Sequence, residues 1–344
     1  MNRSSQEHPR SWKKRLLKII CVILALILLL MLGVTVAYES LLNRINRVEG
    51  TEATLSEEEA SVILATEEEE EADPNAEVLE PEEVTVATSA AVQIEKEELI
   101  HILLVGQDRR PGEGRQRSDS MILCTINKET KTLTMTSFLR DMYVMIPGYY
   151  HQRLNVAYPL GGFKKLNETL SYNFGVQADH NIEVDFGGFV KIVDLMGGVS
   201  INLTQNEAGY LNKINGWSLR SGVNHLNGEE ALAYSRIRKI DSDFARTNRQ
   251  RTVLTALLEK CRNMDFAQLY KLIDGVIPMI TTDMTNADIT NYIMELFPIL
   301  PELQIVTQHI PVKGTYRSAS IRGMSVYVPN LEANQQYLKE SLGG

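Results

Sequence analysis

Residues 99 to 108, Leu-Ile-His-Ile-Leu-Leu-Val-Gly-Gln-Asp, decide how the rest of the chain is read. The near-continuous apolar run over 99–105, ended by Gly106, predicts a strand buried on both faces. It delivers Asp108-Arg109 to its C-terminal end, where ligands of open α/β sheets bind. Downstream, residues 120–126 and 133–138 predict two further strands joined by the hairpin connection Asn127-Lys-Glu-Thr-Lys131. Helical spacing follows over 163–174 and 186–196, the second closing on Gly197-Gly198 before a strand at 199–203. Asn224-His-Leu-Asn-Gly228 reads as a turn and helix start, with helices over 227–235, 244–261, 266–275 and 286–297. A strand over 304–310, a loop at Gly314, a strand near 324–328 and a helix from Leu331 complete the pattern. Alternating strands and helices predict one α/β/α domain over 99–344, with a central mixed sheet covered by helices on both faces.

The formal charge of -9 over 344 residues hides an uneven distribution. Between Glu49 and Glu98 eighteen acidic residues face a single lysine, Lys96, so that stretch carries -17 and the remainder about +8. The acid runs Glu57-Glu-Glu59 and Glu67 to Glu71, with Pro74 and Pro81, read as a self-repelling, extended linker over 39–98. Residues 19–38 are uncharged and almost wholly apolar, the length a helix needs to cross a bilayer. Arg10, Lys13, Lys14, Arg15 and Lys18 precede them and Glu39 is the first charge after, which predicts a cytoplasmic basic segment at 1–18, a transmembrane helix at 19–38 and an extracellular C-terminal domain. Gly33-Val-Thr-Val-Ala37 matches a signal-peptidase site poorly, so an uncleaved anchor is expected. Cys21, Cys124 and Cys261 form neither a disulfide framework nor a thiolate metal motif.

The chemistry gathers at the strand ends. Arg117-Ser-Asp119 opens the second strand and Arg140-Asp141 closes the third, so with Asp108-Arg109 three strand ends each carry an arginine beside a carboxylate. Asp108 and Asp119 are the type of pair that holds a hard cation such as Mg²⁺ or Mn²⁺ together with water and substrate phosphates. Residues 235 to 251, Ser-Arg-Ile-Arg-Lys-Ile-Asp-Ser-Asp-Phe-Ala-Arg-Thr-Asn-Arg-Gln-Arg, bring together Arg236, Arg238, Arg246, Arg249 and Arg251. On a helix, Arg246, Arg249 and Gln250 would share one face near its start, while Val253, Leu254, Leu257 and Leu258 form an apolar stripe. Forked donors at a helix N-terminus suit phosphate oxygens. Taken singly, such pairs are ordinary surface ion pairs and such a helix an ordinary solvated face; the recurrence of the pattern favours an oxyanion site. No Gly-x-x-x-x-Gly-Lys-Ser/Thr loop, His-Glu-x-x-His or Gly-x-Ser-x-Gly elbow is present. His101, His151, His180, His225 and His309 are scattered singly and read as structural.

Several spaced blocks together resemble one family. They are residues 102–108, Arg117-Ser-Asp119, Ser137-Phe-Leu-Arg140-Asp141, Leu154-Asn-Val-Ala-Tyr158 to Gly162, Val184-Asp-Phe-Gly-Gly-Phe189, Val193 to Val199, Leu226 to Arg238 and Arg246-Thr-Asn-Arg-Gln250. In that order they are similar to the LytR-CpsA-Psr family over about residues 99–262, with a less informative likeness in the tail to Ser341. The resemblance implies an enzyme, a membrane-anchored glycopolymer–peptidoglycan phosphotransferase. It would move an anionic glycopolymer, such as teichoic acid or capsule, from undecaprenyl pyrophosphate to a peptidoglycan hydroxyl at the outer face of the cell membrane of a Gram-positive-type envelope. Its implied partners are the undecaprenyl-pyrophosphate-linked glycopolymer, peptidoglycan and the membrane, with no nucleic acid. By the same resemblance Asp108 and Asp119 bind magnesium, Arg117, Arg140, Arg236, Arg238, Arg246 and Gln250 contact the pyrophosphate, and Asp243 matches a further acidic position. Gln107, Leu139 and Ala245 depart from the family's usual serine, proline and glycine, without loss of a charged group. The acceptor of the nucleophile's proton stays open among Asp119, Asp141 and Asp243. Two rivals keep part of the site: a polyprenyl-pyrophosphate hydrolase with water as acceptor, and a non-catalytic module binding lipid or wall polymer. A DNA-binding regulator is opposed by the predicted topology and by the lack of an apparent helix-turn-helix.

Overall fold

A computed structural model describes residues 38–48, 55–65, 76–84, 90–94, 99–109 and 113–343. The segment expected to span the membrane, 19–38, and the basic segment 1–18 lie outside the described residues, Tyr38 excepted. No helix among the described residues is long and apolar enough to cross a membrane.

Leu99–Gln107 is the middle strand of a seven-stranded mixed sheet. In chain order its strands are β1 (Asn46–Arg47), β2 (Leu99–Gln107), β3 (Ser118–Asn127), β4 (Thr132–Phe138), β5 (His180–Asp185), β6 (Ile280–Thr282) and β7 (Gln304–Ile310). Across the sheet the order is β1-β6-β5-β2-β3-β4-β7. The pairs β1·β6, β5·β2 and β4·β7 are parallel and the other three antiparallel, so the predicted hairpin of β3 and β4 forms within a mixed sheet.

The two-residue period of the strands sorts their side chains onto two faces. Leu103, Val105, Met121, Leu123 and Phe138 enter one core with Leu166 and Leu170 of the helix Ala157–Phe174 and Leu338 of the helix Leu331–Gly343. Ile100, Ile122, Cys124, Ile126 and Met135 enter another, against Leu254, Leu258 and Leu296. Both faces are therefore covered. The Ala157–Phe174 helix starts earlier than its spacing predicts and is broken at Gly161-Gly162, where Gly162 takes φ +57°, a value few other residues tolerate.

Three helices stand over the second face: α1 (Phe186–Leu195), α2 (Gly228–Ser235) and α3 (Asp243–Cys261). Local chemistry fixes where each begins. Asp185 Oδ1 accepts from Gly188 N at 2.7 Å, Asn227 and Glu230 form a reciprocal capping box, and Ser242 Oγ accepts from Ala245 N at 3.3 Å. Asn224 to Leu226, predicted as a turn, belong instead to a strand, Gly222–Leu226, paired antiparallel with Val199–Leu203.

The expectation of a wholly solvated linker over 39–98 is corrected for its described stretches. In the helix Glu57–Ala65, Ala60 is buried in the first core, with Leu55, Ile63 and Leu64 packed beside it. Glu77–Val78 pairs in parallel with Ala319 and Ser320, and Leu79 and Val84 are buried against Tyr143, Ile321 and Val326. Further on, Ala91 N donates to Tyr172 O at 2.9 Å and Ile94 N to Gly175 O at 2.8 Å. Apolar residues spaced three and four apart lie hidden among the glutamates, and they dock the charged chain.

Candidate active site

The sheet brings the predicted strand-end residues to one edge of its second face. A β-bulge between Gly106 and Gln107 shifts the register where β2 ends and Asp108 begins. Gly106 is small for a reason: a Cβ there would come within 3.1 Å of Ser120 Cβ across the β2·β3 pair. Above this floor, between the sheet and α1, α2 and α3, lies a cavity of about 790 Å³. At one end it is lined by Asp108, Arg117, Asp119, Arg140, Arg236, Arg238, Arg246 and Gln250. At the other it is lined by Leu104, Ile122, Ile182, Phe189, Leu254 and Leu257. On α3 the residues Arg246, Gln250, Leu254 and Leu257 fall at helical spacing on one face, so a single helix contributes to both ends.

The polar end is a lattice of arginines on carboxylates. Arg140 Nη1 donates to Asp119 Oδ1 at 2.7 Å and its Nε to Asp141 Oδ2 at 3.3 Å, although the side chain is only 3 % exposed. Behind it Arg153 Nε stands 3.7 Å from Asp141 Oδ1 and its Nη2 donates to Ser325 O at 3.0 Å. Arg238 Nη2 reaches the same Asp119 Oδ1 at 3.4 Å. Arg236 Nη2 lies 3.5 Å from Asp108 Oδ2, its guanidinium 4.4 Å above the Phe186 ring centre. Arg246 Nη2 donates to Asp243 Oδ2 at 2.8 Å.

Arg246 is the most telling of these. Its side chain is 2 % exposed, yet its Nε and Nη1 have no partner among the described residues. Burial lowers its pKa, and burial raises that of Asp243 against the opposing pull of Arg246. Gln250 Oε1, one turn on, is likewise unpartnered. The Arg246 nitrogens are buried donors left open at a cavity wall, costly unless a ligand completes them, whereas Gln250 Oε1 is an acceptor; five arginines against Asp108 and Asp119 make the ligand at the arginines an anion.

Residues 36–341 match the LytR_cpsA_psr family profile. The chain belongs to the LytR_cpsA_psr family. Among its relatives, "Regulatory protein MsrR" of Staphylococcus aureus (strain Mu50) is 32 % identical over 249 residues, 71 % of this chain and 74 % of that protein. The "Polyisoprenyl-teichoic acid--peptidoglycan teichoic acid transferase TagU" of Bacillus subtilis (strain 168) is 30 % identical over 259 residues, 72 % of this chain and 79 % of TagU. Among solved structures, one described as "TagT bound to LI-WTA" superposes with a TM-score of 0.61 at 26 % identity, over 75 % of this chain and 98 % of that one. The family likeness thus extends to the mixed α/β fold, and transferase activity on teichoic acid is attached to the family by the TagU name.

Within this LytR_cpsA_psr member, eight of the nine predicted site residues line the cavity; the ninth, Asp243, stands behind Arg246 as its partner. Three arginines of the same sequence pattern go elsewhere, Arg251 to a separate pocket on the far side of α3. Arg109 pairs with Glu183 at 3.0 Å, and the carboxylate of its neighbour Asp108 is met by Arg236 instead. Arg249, predicted to share the face of Arg246, holds Glu207 at 2.7 Å and also Asp241. In sequence, an apolar groove and plain core packing account equally well for the many Leu, Ile, Val and Met residues of this domain; the structure places Leu104, Ile122 and Ile182 at the cavity. Among the described residues no group of three or more His, Cys, Asp or Glu side chains is placed to hold a metal ion. The donor set at the cavity is the pair Asp108 and Asp119, which fits a small hard cation that keeps waters and takes its remaining ligands from substrate phosphates.

Proposed function

We propose that this protein transfers an anionic glycopolymer from a polyprenyl pyrophosphate, undecaprenyl pyrophosphate by the family resemblance, to a sugar hydroxyl of peptidoglycan. The observation that carries this reading is a single cavity with a cationic end and an apolar end, because a polyprenyl pyrophosphate is itself an anion on a hydrocarbon tail. TagU's name and the TagT complex support the same substrate class. In the reaction the sugar oxygen bonds to the phosphorus that carries the polymer, and the bond from that phosphorus to the bridging oxygen breaks. The products are a phosphodiester on peptidoglycan and a polyprenyl phosphate.

Such a displacement is governed by charge cancellation and in-line placement rather than covalent catalysis. Arg117, Arg236 and Arg238 would grip the pyrophosphate, and the open nitrogens of Arg246 would meet its developing charge. Asp108 and Asp119 would hold Mg²⁺ or Mn²⁺, which neutralises phosphate charge when bound. Of the three carboxylates open to the role of proton acceptor, Asp119 lines the cavity. Asp141 lies between Arg140 and Arg153, and Asp243 on Arg246, so both orient arginines. Residues 19–38 would act as a membrane anchor with the domain outside, a placement that protease treatment of intact protoplasts checks by removing the domain.

The test is a transfer assay on the full chain with lipid-linked polymer and peptidoglycan. Chelation should reduce transfer at least a hundredfold, with recovery on adding Mg²⁺ or Mn²⁺. Undiminished transfer in excess chelator would refute the metal role.

A further inference from the structure

A second concave site lies on the opposite side of α3. Arg246 and Gln250 face the large cavity, whereas Asn248, Arg251, Thr252 and Thr255 lie about half a turn round the helix. These four line a separate pocket of about 300 Å³, completed by groups such as Ser200 of the strand Val199–Leu203 and Thr307 of β7. No aspartate or glutamate lines it.

Arg251 is the anomaly. Among the described residues five arginines have side chains buried to this degree, and four hold a carboxylate: Arg140 on Asp119, Arg153 on Asp141, Arg246 on Asp243 and Arg249 on Glu207. Arg251 is 4 % exposed, and its Nη2 reaches Asn248 Oδ1 at 3.5 Å, the outer limit of a hydrogen bond. Its Nε and Nη1 have no partner among the described residues. Burial pushes its pKa down to about 10, so it remains charged at neutral pH. Nearby His309, held low chiefly by its own burial, offers no balancing negative charge. An uncompensated buried guanidinium is expensive, and the expense falls once an anion sits beside it.

We propose that this pocket is a second oxyanion site, separate from the active site, that takes a phosphate group through Arg251 with hydroxyl and amide donors from its walls. A planar fork of N–H donors suits tetrahedral phosphate oxygens. The volume stands at the small end of ligand pockets, room for a phosphate and an adjoining polyol unit. The phosphate comes either from free inorganic phosphate or from a phosphodiester of an anionic polymer. The site stands on Arg251 and its pocket alone, so it holds whether or not the transfer reaction is the one proposed above.

The test is calorimetric titration of the full chain in detergent with inorganic phosphate, with glycerophosphoglycerol and with acetate. Arg251→Gln should weaken one class of phosphate sites at least tenfold, and Arg236→Gln, which alters the active site, should keep that class. Tighter binding of the diester assigns the site to polymer, and tighter binding of inorganic phosphate assigns it to the free ion. If Arg251→Gln does not fold, hydrogen exchange on the unaltered chain serves instead: phosphate should slow exchange across 248–256. An unchanged isotherm in a folded Arg251→Gln, no protection across 248–256, or acetate binding as tightly as phosphate would overturn the proposal.

Discussion

Asp119→Asn should lower transfer by roughly 10²–10³-fold while the protein melts within a few degrees of the wild type. Asp119 lines the cavity, and its Oδ1 meets both Arg140 Nη1 and Arg238 Nη2. The amide keeps the shape of the carboxylate and can still accept from one arginine, so packing changes little. What it removes is the charge that would hold a cation and set the two guanidiniums in register. Arg140 keeps Asp141, so it is not left without a carboxylate and stability should hold. Initial transfer rates and thermal unfolding, measured side by side, decide the matter. A rate within threefold of wild type would remove Asp119 from the chemistry, and a large drop in melting temperature would show a structural role instead.

Arg140→Ala should cost both activity and stability. This side chain is 3 % exposed and bridges Asp119 and Asp141, so its loss leaves Asp141 inside the protein with Arg153 as partner at 3.7 Å, a long contact. Breaking a buried ion pair by removing one member typically costs about 3–5 kcal/mol, which for a domain of this size is a fall on the order of 10 °C in melting temperature. Arg140→Lys retains a charge but not the fork that reaches two carboxylates at once, so it should recover part of the stability and little of the transfer. Thermal unfolding of both variants checks this. Equal melting temperatures for wild type and Arg140→Ala would show that the lattice is not structural.

Much of this arrangement was legible in the chain, and the misses have physical causes. β2 and β3 carry long apolar runs, β4 alternates Leu133 and Met135 with threonines, and their ends carry the charged residues that meet in space, so strands and site were readable together. β5 was missed because it reads His-Asn-Ile-Glu-Val-Asp. On the face away from the cavity its polar side chains are satisfied by distant partners: Glu183 by Tyr158 and Arg109, Asn181 by Asp283. Local sequence cannot show such partners. Arg249 and Arg246 are three apart, which helical geometry alone puts near one face, yet Glu207 and Asp241 draw Arg249 aside. The acidic segment misled for another reason. Its net charge outweighs a few apolar residues in any average, but Ala60, Ile63 and Leu64 are enough to seat one helix. The apolar arm of the cavity is built from residues that, in sequence, are indistinguishable from core.

The most direct measurement is the chemical identity of the product. The full chain is incubated with a polyprenyl-pyrophosphate-linked glycopolymer and peptidoglycan, the wall is digested, and the fragments are analysed by mass spectrometry and phosphorus NMR. The account predicts polymer joined to a peptidoglycan sugar through a phosphodiester, with polyprenyl phosphate released in equal amount. Free phosphorylated polymer in the presence of peptidoglycan, with no wall-linked product, would identify a hydrolase and contradict it.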